Sequence, residues 1–314
     1  MMSQTLDQWF AQFLREREFL RNLRPASLRW HRLSWHSLLR SVHPPPLVPA
    51  DLSRATLETF VYALRQRSVR PITVNNRLRS VHTFFRWLHE QGALPTLLRL
   101  RPLKVEQRVV PTLVPATIQA MVRFRPPALP PAPSRADRSP LHGQKAFALW
   151  RIQALACTLL DTGCRVQELL DAAVEDLDMN DLLLTVVGKG DRQRRVPFSP
   201  ELRKLLYRYL QQRAALNLPP GRLFPEYGGG PWTQRNALRS FYLWQQRLGL
   251  PTTVGFHRLR HTFATEYLRR GGDLVRLSRS LGHQQVSTTM HYLHLVTDDL
   301  SREHTRISLL TRWH

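Results

Sequence analysis

The side chains best suited to chemistry in this sequence fall in four short segments between residues 162 and 292. They are the types that cleavage of a phosphodiester bond needs: a hydroxyl nucleophile, cations for the non-bridging oxygens, and a proton donor for the leaving oxygen. The candidates are Arg165 and Glu168 in TGCRVQELL, Lys189 in VVGKGDRQRRVPF, His257 and Arg260 in HRLRHTFAT, and His283 and Tyr292 in LGHQQVSTTMHY.

This set can cut a phosphodiester without a metal ion or ATP. Tyr292 is the candidate nucleophile, because surrounding cations favour its phenolate. Arg165 and Arg260 can hold the phosphoryl oxygens bidentately, and Lys189 or a histidine can protonate the departing 5′ oxygen. A covalent phosphotyrosine conserves the energy of the broken bond, so the strand can be rejoined without a cofactor.

Each residue taken alone also has an ordinary structural interpretation. Arg165 would be a helix arginine paired with Glu168, three residues along the same predicted helix. Lys189 would be a turn lysine, and Tyr292 a half-buried aromatic. The order of the four segments and the chemical fit of their residues favour phosphodiester cleavage over these separate interpretations.

A zinc site is the other interpretation of the third segment. His257 and His261 stand four apart, the spacing of a zinc-binding pair on a helix, but Arg258 occupies the position where zinc proteases carry glutamate. Two neighbouring arginines would also repel a cation. The sequence therefore predicts no metal site.

The charge of the chain points to a polyanionic partner. It has 46 lysine and arginine residues against 23 acidic ones, a formal net charge of +23. Neutralised phosphates release condensed counterions, so nucleic acid is the first candidate and an anionic membrane surface the second. The sequence shows no secretory signal, no apolar run long enough to span a bilayer, and no basic helix with a broad apolar face. Double-stranded DNA, met in the cytoplasm, is the predicted partner.

Residues 1–95 are predicted to form an N-terminal domain of packed helices. Four sets of apolar residues recur there at helical spacing, and Gly92 is a typical helix stop. Arg77, Arg79 and Arg86 lie off the apolar stripes and are candidate DNA contacts.

A second domain is predicted over residues 113–314, joined to the first by a linker over 96–112 that has prolines and no long periodic run. Five prolines between residues 125 and 139 indicate an exposed insertion. The β-rich runs 182–187 and 194–198 flank GKGDRQ and predict a hairpin.

The rest of the second domain is predicted to be helical, including a segment from Gln144 to Leu160 and a tail helix over 297–311. Cys157 and Cys164 are seven apart, which would place them about two turns apart on one helix face, as reduced core thiols. The predicted fold class is mainly α with a small β-hairpin or sheet.

The four segments resemble the tyrosine recombinases, most closely their Xer and phage-integrase branch. The resemblance covers residues 114–297 by motif and extends more loosely to the N-terminal helices, which are similar to the family's SAM-like core-binding bundle. It implies a catalytic C-terminal domain, two domains that clasp DNA, and a site-specific recombinase of the integrase or resolvase kind. The proline-rich insertion is a departure from the family's motif pattern.

The resemblance also implies a role for each candidate. Tyr292 would attack the scissile phosphate, form a 3′-phosphotyrosine and release a 5′-hydroxyl. The two arginines would bind the phosphate, and the acid would support the site from behind. The implied roles are phosphate binding for Arg165 and Arg260, general acid for Lys189, proton transfer for His257, hydrogen bonding to the phosphate for His283, and support for Glu168.

Family resemblance further implies a tetramer on two DNA duplexes, a Holliday-junction intermediate, and docking of the tail after Tyr292 onto a neighbouring protomer. A second recombinase or an accessory protein is a further possible partner. Two other functions remain open at this point: a DNA relaxase similar to type IB topoisomerases, which shares this chemistry, and a DNA-binding relative without catalysis.

Overall fold

The computed structural model describes residues 4–105, 111–129, 140–188, 190–250, 254–282, 285–290 and 292. The chain divides into two compact units, Met1–Arg108 and Val109–His314. The described residues are mostly helical, with one three-stranded antiparallel sheet in the second unit. The predicted fold class is confirmed. No helix in the described ranges is long and apolar enough to cross a membrane.

The described part of the first unit contains four α-helices with clear start and stop signals. At the first of them Thr5 and Gln8 form a reciprocal capping box, in which each side chain accepts from the other residue's backbone N–H. Prolines stand at the first position of the second and fourth helices, and Gly92, at φ +73°, follows the last. The helices are α1 (Leu6–Phe19), α2 (Pro25–Leu39), α3 (Arg54–Gln66) and α4 (Pro71–Glu90).

Aromatic rings form the centre of this bundle. The Phe84 centroid lies 5.1 Å from those of Phe10 and Trp35 and 5.3 Å from that of Phe13. All four rings are buried, and edge-to-face pairs of this kind add to the free energy gained by burial. Apolar side chains from α1, α2, α3 and α4 close the core around these rings, so the predicted bundle is confirmed.

Residues 98–103 of the predicted linker lie against the bundle. Leu98, Leu100 and Leu103 pack on the core of the first unit. The side-chain amide of Asn75 in α4 donates to the Leu103 carbonyl at 2.9 Å and accepts from its N–H at 2.8 Å. The chain thus follows the bundle for about a dozen residues beyond α4, and residues 106–110 lie outside the described ranges.

The described part of the second unit contains eight α-helices and three strands. The helices are α5 (Pro115–Arg123), α6 (Pro140–Thr162), α7 (Val166–Asp171), α8 (Pro200–Ala215), α9 (Gln234–Arg247), α10 (Phe256–Arg269), α11 (Leu274–Leu281) and α12 (Ser287–Met290). The strands are β1 (Leu177–Asp178), β2 (Leu183–Val187) and β3 (Gln193–Pro197).

One long buried helix, α6, forms the centre of this unit, and α8, α9 and α10 pack against it. The sheet confirms the predicted hairpin: β2 pairs with β1 and β3, and Thr185 stands opposite Arg195.

Two details of this unit differ from the prediction. The long helix begins at Pro140, ahead of the predicted Gln144, and ends at Thr162. Gly163 takes up a φ of +65°, which L side chains rarely adopt, and the helix stops there. Cys164 therefore lies beyond the helix that carries Cys157, and the prediction that they share one helix face is wrong. Both thiols are free and buried.

Two predicted segments lie largely or wholly outside the described residues. Of the insertion over 125–139 the structure describes 125–129, where Pro126 is buried. The tail helix predicted over 297–311 lies outside the described ranges and stays a prediction.

Candidate active site

The turn at Gly163 brings the first arginine of the site into place. A side chain at this glycine would collide with the ring of Phe263 on α10, so the α6–α7 turn packs directly on that helix. Arg165 follows as the N-cap residue of α7. It therefore lies just outside the helix, whereas the sequence had placed it on the same helix as Glu168. Its backbone N–H donates to the Glu168 carboxylate at 2.8 Å.

Glu168 lies at the centre of the cluster, with a side chain that is 5% exposed. Its Oε1 accepts from Arg165 Nη1 and from Arg194 Nη1, both at 2.9 Å. Its Oε2 accepts from Arg194 Nη2 at 2.7 Å. Burial alone would raise the pKa of this carboxyl, but the hydrogen bonds from Arg194 and Arg165 outweigh it and hold the pKa below its ordinary value. Glu168 is therefore an ionised, fully paired acid.

Both candidate phosphate-binding arginines are held by the end of α11. Arg260 donates to the carbonyls of Gly163 at 2.7 Å and Leu281 at 2.9 Å. Arg165 donates to the carbonyl of Gly282 at 3.4 Å. The C-terminus of a helix carries partial negative charge, which favours two cations at this position.

Arg260 is buried, whereas 38% of the Arg165 side chain is exposed. Burial, and then the nearby charge of Arg165, lower the pKa of Arg260 to about 10. At neutral pH the Arg260 guanidinium group therefore still carries its full charge. The pair thus offers one buried and one accessible cation, a suitable arrangement for clamping a phosphate.

Tyr292 packs on the same helices. Its ring contacts the cluster of Ala264, Leu268, Leu277 and Leu281, and its N–H donates to the Thr289 carbonyl at 2.9 Å. Burial raises the pKa of the phenol, while the charges of Arg260 and Arg165 act in the opposite direction. Nearby cations thus favour the phenolate, as the sequence predicts, but burial has the larger effect on the pKa in this structure.

Arg194 joins this cluster and was missed by the sequence analysis. It lies on β3 with 14% of its side chain exposed, and its Nε donates to the Ser280 carbonyl at 2.9 Å. A signal was present: Arg194 is two residues from the buried Val196, so strand alternation places both on the inward face. An inward-facing arginine requires buried hydrogen-bond acceptors, and here these are the Glu168 carboxylate and the Ser280 carbonyl.

Comparison with known proteins assigns the chain to a family. Residues 144–298 match the sequence model of the phage integrase family. The chain is 30% identical to the tyrosine recombinase XerC of Methylobacterium sp. (strain 4-46), over 90% of this chain and 86% of that protein. It is also 30% identical to XerC of Lactobacillus delbrueckii subsp. bulgaricus (strain ATCC BAA-365 / Lb-18), over 81% of this chain and 82% of that one. The chain belongs to the phage integrase family of tyrosine recombinases.

Solved structures agree on the fold. The Tn1549 transposon integrase in complex with transposon right end DNA matches with a TM-score of 0.73 at 19% identity, covering 97% of this chain and 100% of that one. The XerH site-specific recombinase bound to palindromic difH substrate matches with a TM-score of 0.67 at 17% identity, covering 96% and 84%. The two-domain fold of this tyrosine recombinase is thus shared with distant relatives.

The structure brings Arg165, Glu168, Arg260 and Tyr292 of the predicted set together. His257 is exposed and lies on α10 one turn before Arg260.

Lys189 and His283 lie outside the described residues, but the residues before them, Gly188 and Gly282, are described. Gly188 lies at the base of the hairpin and donates to the Arg192 carbonyl at 2.8 Å. A Cβ on Gly188 would be 3.6 Å from Glu168 Oε1. Gly282 likewise contacts the cluster, since its carbonyl accepts from Arg165.

The three candidate DNA contacts of the first unit differ in their surroundings. Arg77 is partly buried and donates to the Ser37 hydroxyl at 2.8 Å, joining α4 to α2. Arg79 and Arg86 are exposed and line a cavity of about 380 Å³ together with Arg99 and His82. The described lining of that cavity includes no carboxylate, so its basic character is not neutralised locally.

Proposed function

We propose that this protein is a site-specific DNA recombinase that cleaves and rejoins strands through Tyr292. The observation that carries the proposal is the packing of Tyr292 beside Arg260 and Arg165, the second of which is bound by the buried Glu168. The chain that brings these residues together belongs to the tyrosine recombinase family. The names of the relatives favour recombination over topoisomerase-like relaxation. The first unit would act as the core-binding domain and the second as the catalytic domain.

In the proposed reaction the Tyr292 oxygen attacks the scissile phosphorus and the bond to the 5′ oxygen breaks. Because burial raises the pKa of Tyr292, the phenol stays protonated until its proton is accepted during attack, a role we assign to His257. Lys189 gives a proton to the leaving oxygen. Arg165 and Arg260 bind the non-bridging oxygens, where negative charge increases in the transition state, and His283 adds a hydrogen bond.

The assembly and location are proposals of the same kind. A tetramer on two duplexes would exchange the tails that follow Tyr292 between neighbouring protomers, with a second recombinase or an accessory protein as a further partner. The cytoplasm is the proposed compartment, because it contains the DNA substrate.

A covalent-trapping experiment tests the function. Purified protein is mixed with end-labelled, nicked duplexes from its own genomic neighbourhood, without metal or ATP, and the products are separated on a denaturing gel. We expect a protein–DNA adduct that keeps the 5′-end label of the cleaved strand, because Tyr292 would be joined to the 3′ phosphate of that fragment while the fragment with the 5′-hydroxyl is released. If the protein bound its target DNA tightly but formed no adduct with it, that result would contradict the proposal.

Lys189→Ala is expected to slow cleavage by about 10²–10⁴-fold, the usual contribution of a positioned general acid. A substrate with a 5′-thiolate leaving group needs no such proton, so it should restore most of the rate. Single-turnover adduct formation measures both. The matched control is Lys204→Ala, since Lys204 is an exposed lysine on α8. Absence of rescue by the thiolate substrate would refute the general-acid role.

Arg79→Ala and Arg86→Ala are each expected to weaken DNA binding and to flatten the plot of log affinity against log salt by about 0.9. Arg77→Ala is the internal comparison: its bond to Ser37 predicts a loss of about 1 kcal/mol in unfolding free energy and the smallest change in salt slope. Fluorescence anisotropy at several salt concentrations gives the slopes. Equal slopes in wild type and the Arg79 and Arg86 variants would exclude this cavity from the DNA interface.

A further inference from the structure

Arg194 uses every nitrogen of its guanidinium group inside the protein. Nη1 and Nη2 bind the two oxygens of Glu168 at 2.9 and 2.7 Å, and Nε binds the Ser280 carbonyl at 2.9 Å. One side chain thereby joins β3, the first turn of α7 and the last turn of α11. This bidentate geometry is specific to arginine, and the three bonds commit three of the five N–H donors of this side chain to the protein.

We propose that Arg194 is a positioning residue for strand cleavage, acting through both phosphate-binding arginines; this inference rests on the proposed function of the site. It fixes the Glu168 carboxylate that binds Arg165. It also holds the end of α11, whose carbonyls at Leu281 and Gly282 bind Arg260 and Arg165.

Charge gives Arg194 a second effect on Arg165. The Glu168 carboxylate is buried and shares its hydrogen bonds between two arginines. Without Arg194 the whole attraction of that carboxylate would act on Arg165, and the guanidinium would be drawn inward and neutralised. With Arg194 in place, the cluster keeps a surplus of positive charge for the phosphate.

Two glycines allow Arg194 to reach this position. A Cβ at Gly282 would lie 2.8 Å from its Nη1 and 2.9 Å from its Cζ, and a Cβ at Gly188 would lie 3.5 Å from its Nη1. Gly188 immediately precedes Lys189, and Gly282 immediately precedes His283. Arg194 therefore also packs beside the backbone that leads to two further candidate catalytic residues.

The test uses the full-length protein in the single-turnover trapping assay at saturating DNA. Arg194→Met should lower the cleavage rate by about 10–100-fold, as is typical when the partner of a site residue is removed, with DNA affinity within about threefold of wild type. Arg194→Lys, which keeps the charge but not the fork, should recover part of the rate. The double variant R194M/E168Q should cleave faster than Arg194→Met alone, because the carboxylate that would neutralise Arg165 is gone.

A pair of glycine substitutions probes the same contact without changing Arg194. Gly282 and Gly249 have φ values of +65° and +64°, so alanine brings the same backbone strain to both. Only at Gly282 would the new Cβ meet Arg194, since nothing lies within 4 Å at Gly249. Gly282→Ala should slow cleavage as Arg194→Met does, and Gly249→Ala should not.

The outcomes separate this inference from the proposed function. A Tyr292-dependent adduct in wild type, with unchanged rates in the Arg194 variants, would overturn the inference alone. A double variant no faster than Arg194→Met, with a rate loss that follows the loss of thermal stability, would reduce Arg194 to a structural residue. Absence of any adduct from wild type on tightly bound target DNA would refute the proposed function and this inference with it.

Discussion

Replacing Tyr292 by phenylalanine is expected to abolish the covalent adduct and to leave DNA binding unchanged. The substitution removes one oxygen, whereas the ring that packs on Ala264, Leu268 and their neighbours is kept. Loss of the nucleophile leaves no group to form the phosphotyrosine, so the rate should fall by at least about 10⁴-fold, below detection. Trapping on nicked substrates measures the adduct, and a gel shift on the same DNA measures binding.

Tyr267→Phe is the matched control for this prediction. Tyr267 lies on α10, is partly buried and packs against the same small apolar cluster as Tyr292. It should keep wild-type cleavage, which would show that the loss at Tyr292 does not come from repacking. An adduct that persists in Tyr292→Phe, or a loss of DNA affinity there, would disprove the assigned role.

The bundle of the first unit could be predicted because the buried residues of each helix recur along the sequence with the period of a helix. Leu57, Phe60, Val61 and Leu64 repeat along α3 with the period of a helix, and all four are buried. The hairpin was equally local, since alternating strands flank a glycine-rich turn. The path of residues 98–103 could not be predicted from local pattern, because the Asn75 side chain that binds Leu103 lies 28 residues earlier.

The site could be predicted by residue type, but its connections could not. Arg194 is 26 residues from Glu168 and 86 from Ser280, and nothing in the local pattern pairs them. The pKa of Tyr292 was a similar case, because burial and nearby cations act on it with opposite signs. Which effect is larger depends on how deeply the ring is buried, and only the tertiary packing on α10 and α11 determines that.

Arg260→Lys is expected to preserve DNA binding and to slow cleavage by about 10²–10³-fold, the cost of removing one donor from a developing oxyanion. The two terminal nitrogens of Arg260 bind the carbonyls of Gly163 and Leu281, and a single ammonium cannot span both. One buried carbonyl loses its partner, so unfolding free energy should fall by about 1–3 kcal/mol.

The pH dependence of the cleavage rate gives a second, more specific test of Arg260→Lys. Burial lowers the pKa of Arg260 only to about 10, so the wild-type charge persists across pH 7–9. A lysine starts from about 10.4, and the same burial moves its pKa toward the assay range. Cleavage by Arg260→Lys should therefore decline further as pH rises, because the ammonium loses its proton, whereas the wild-type rate should show no such additional decline.

The control is Arg258→Lys on the same helix, which should behave as wild type. Arg258 donates its Nε–H to the Pro111 carbonyl. If Arg260→Lys cleaved at the wild-type rate at every pH, the buried guanidinium would hold the α6–α7 turn to the end of α11 and have no part in binding the phosphate.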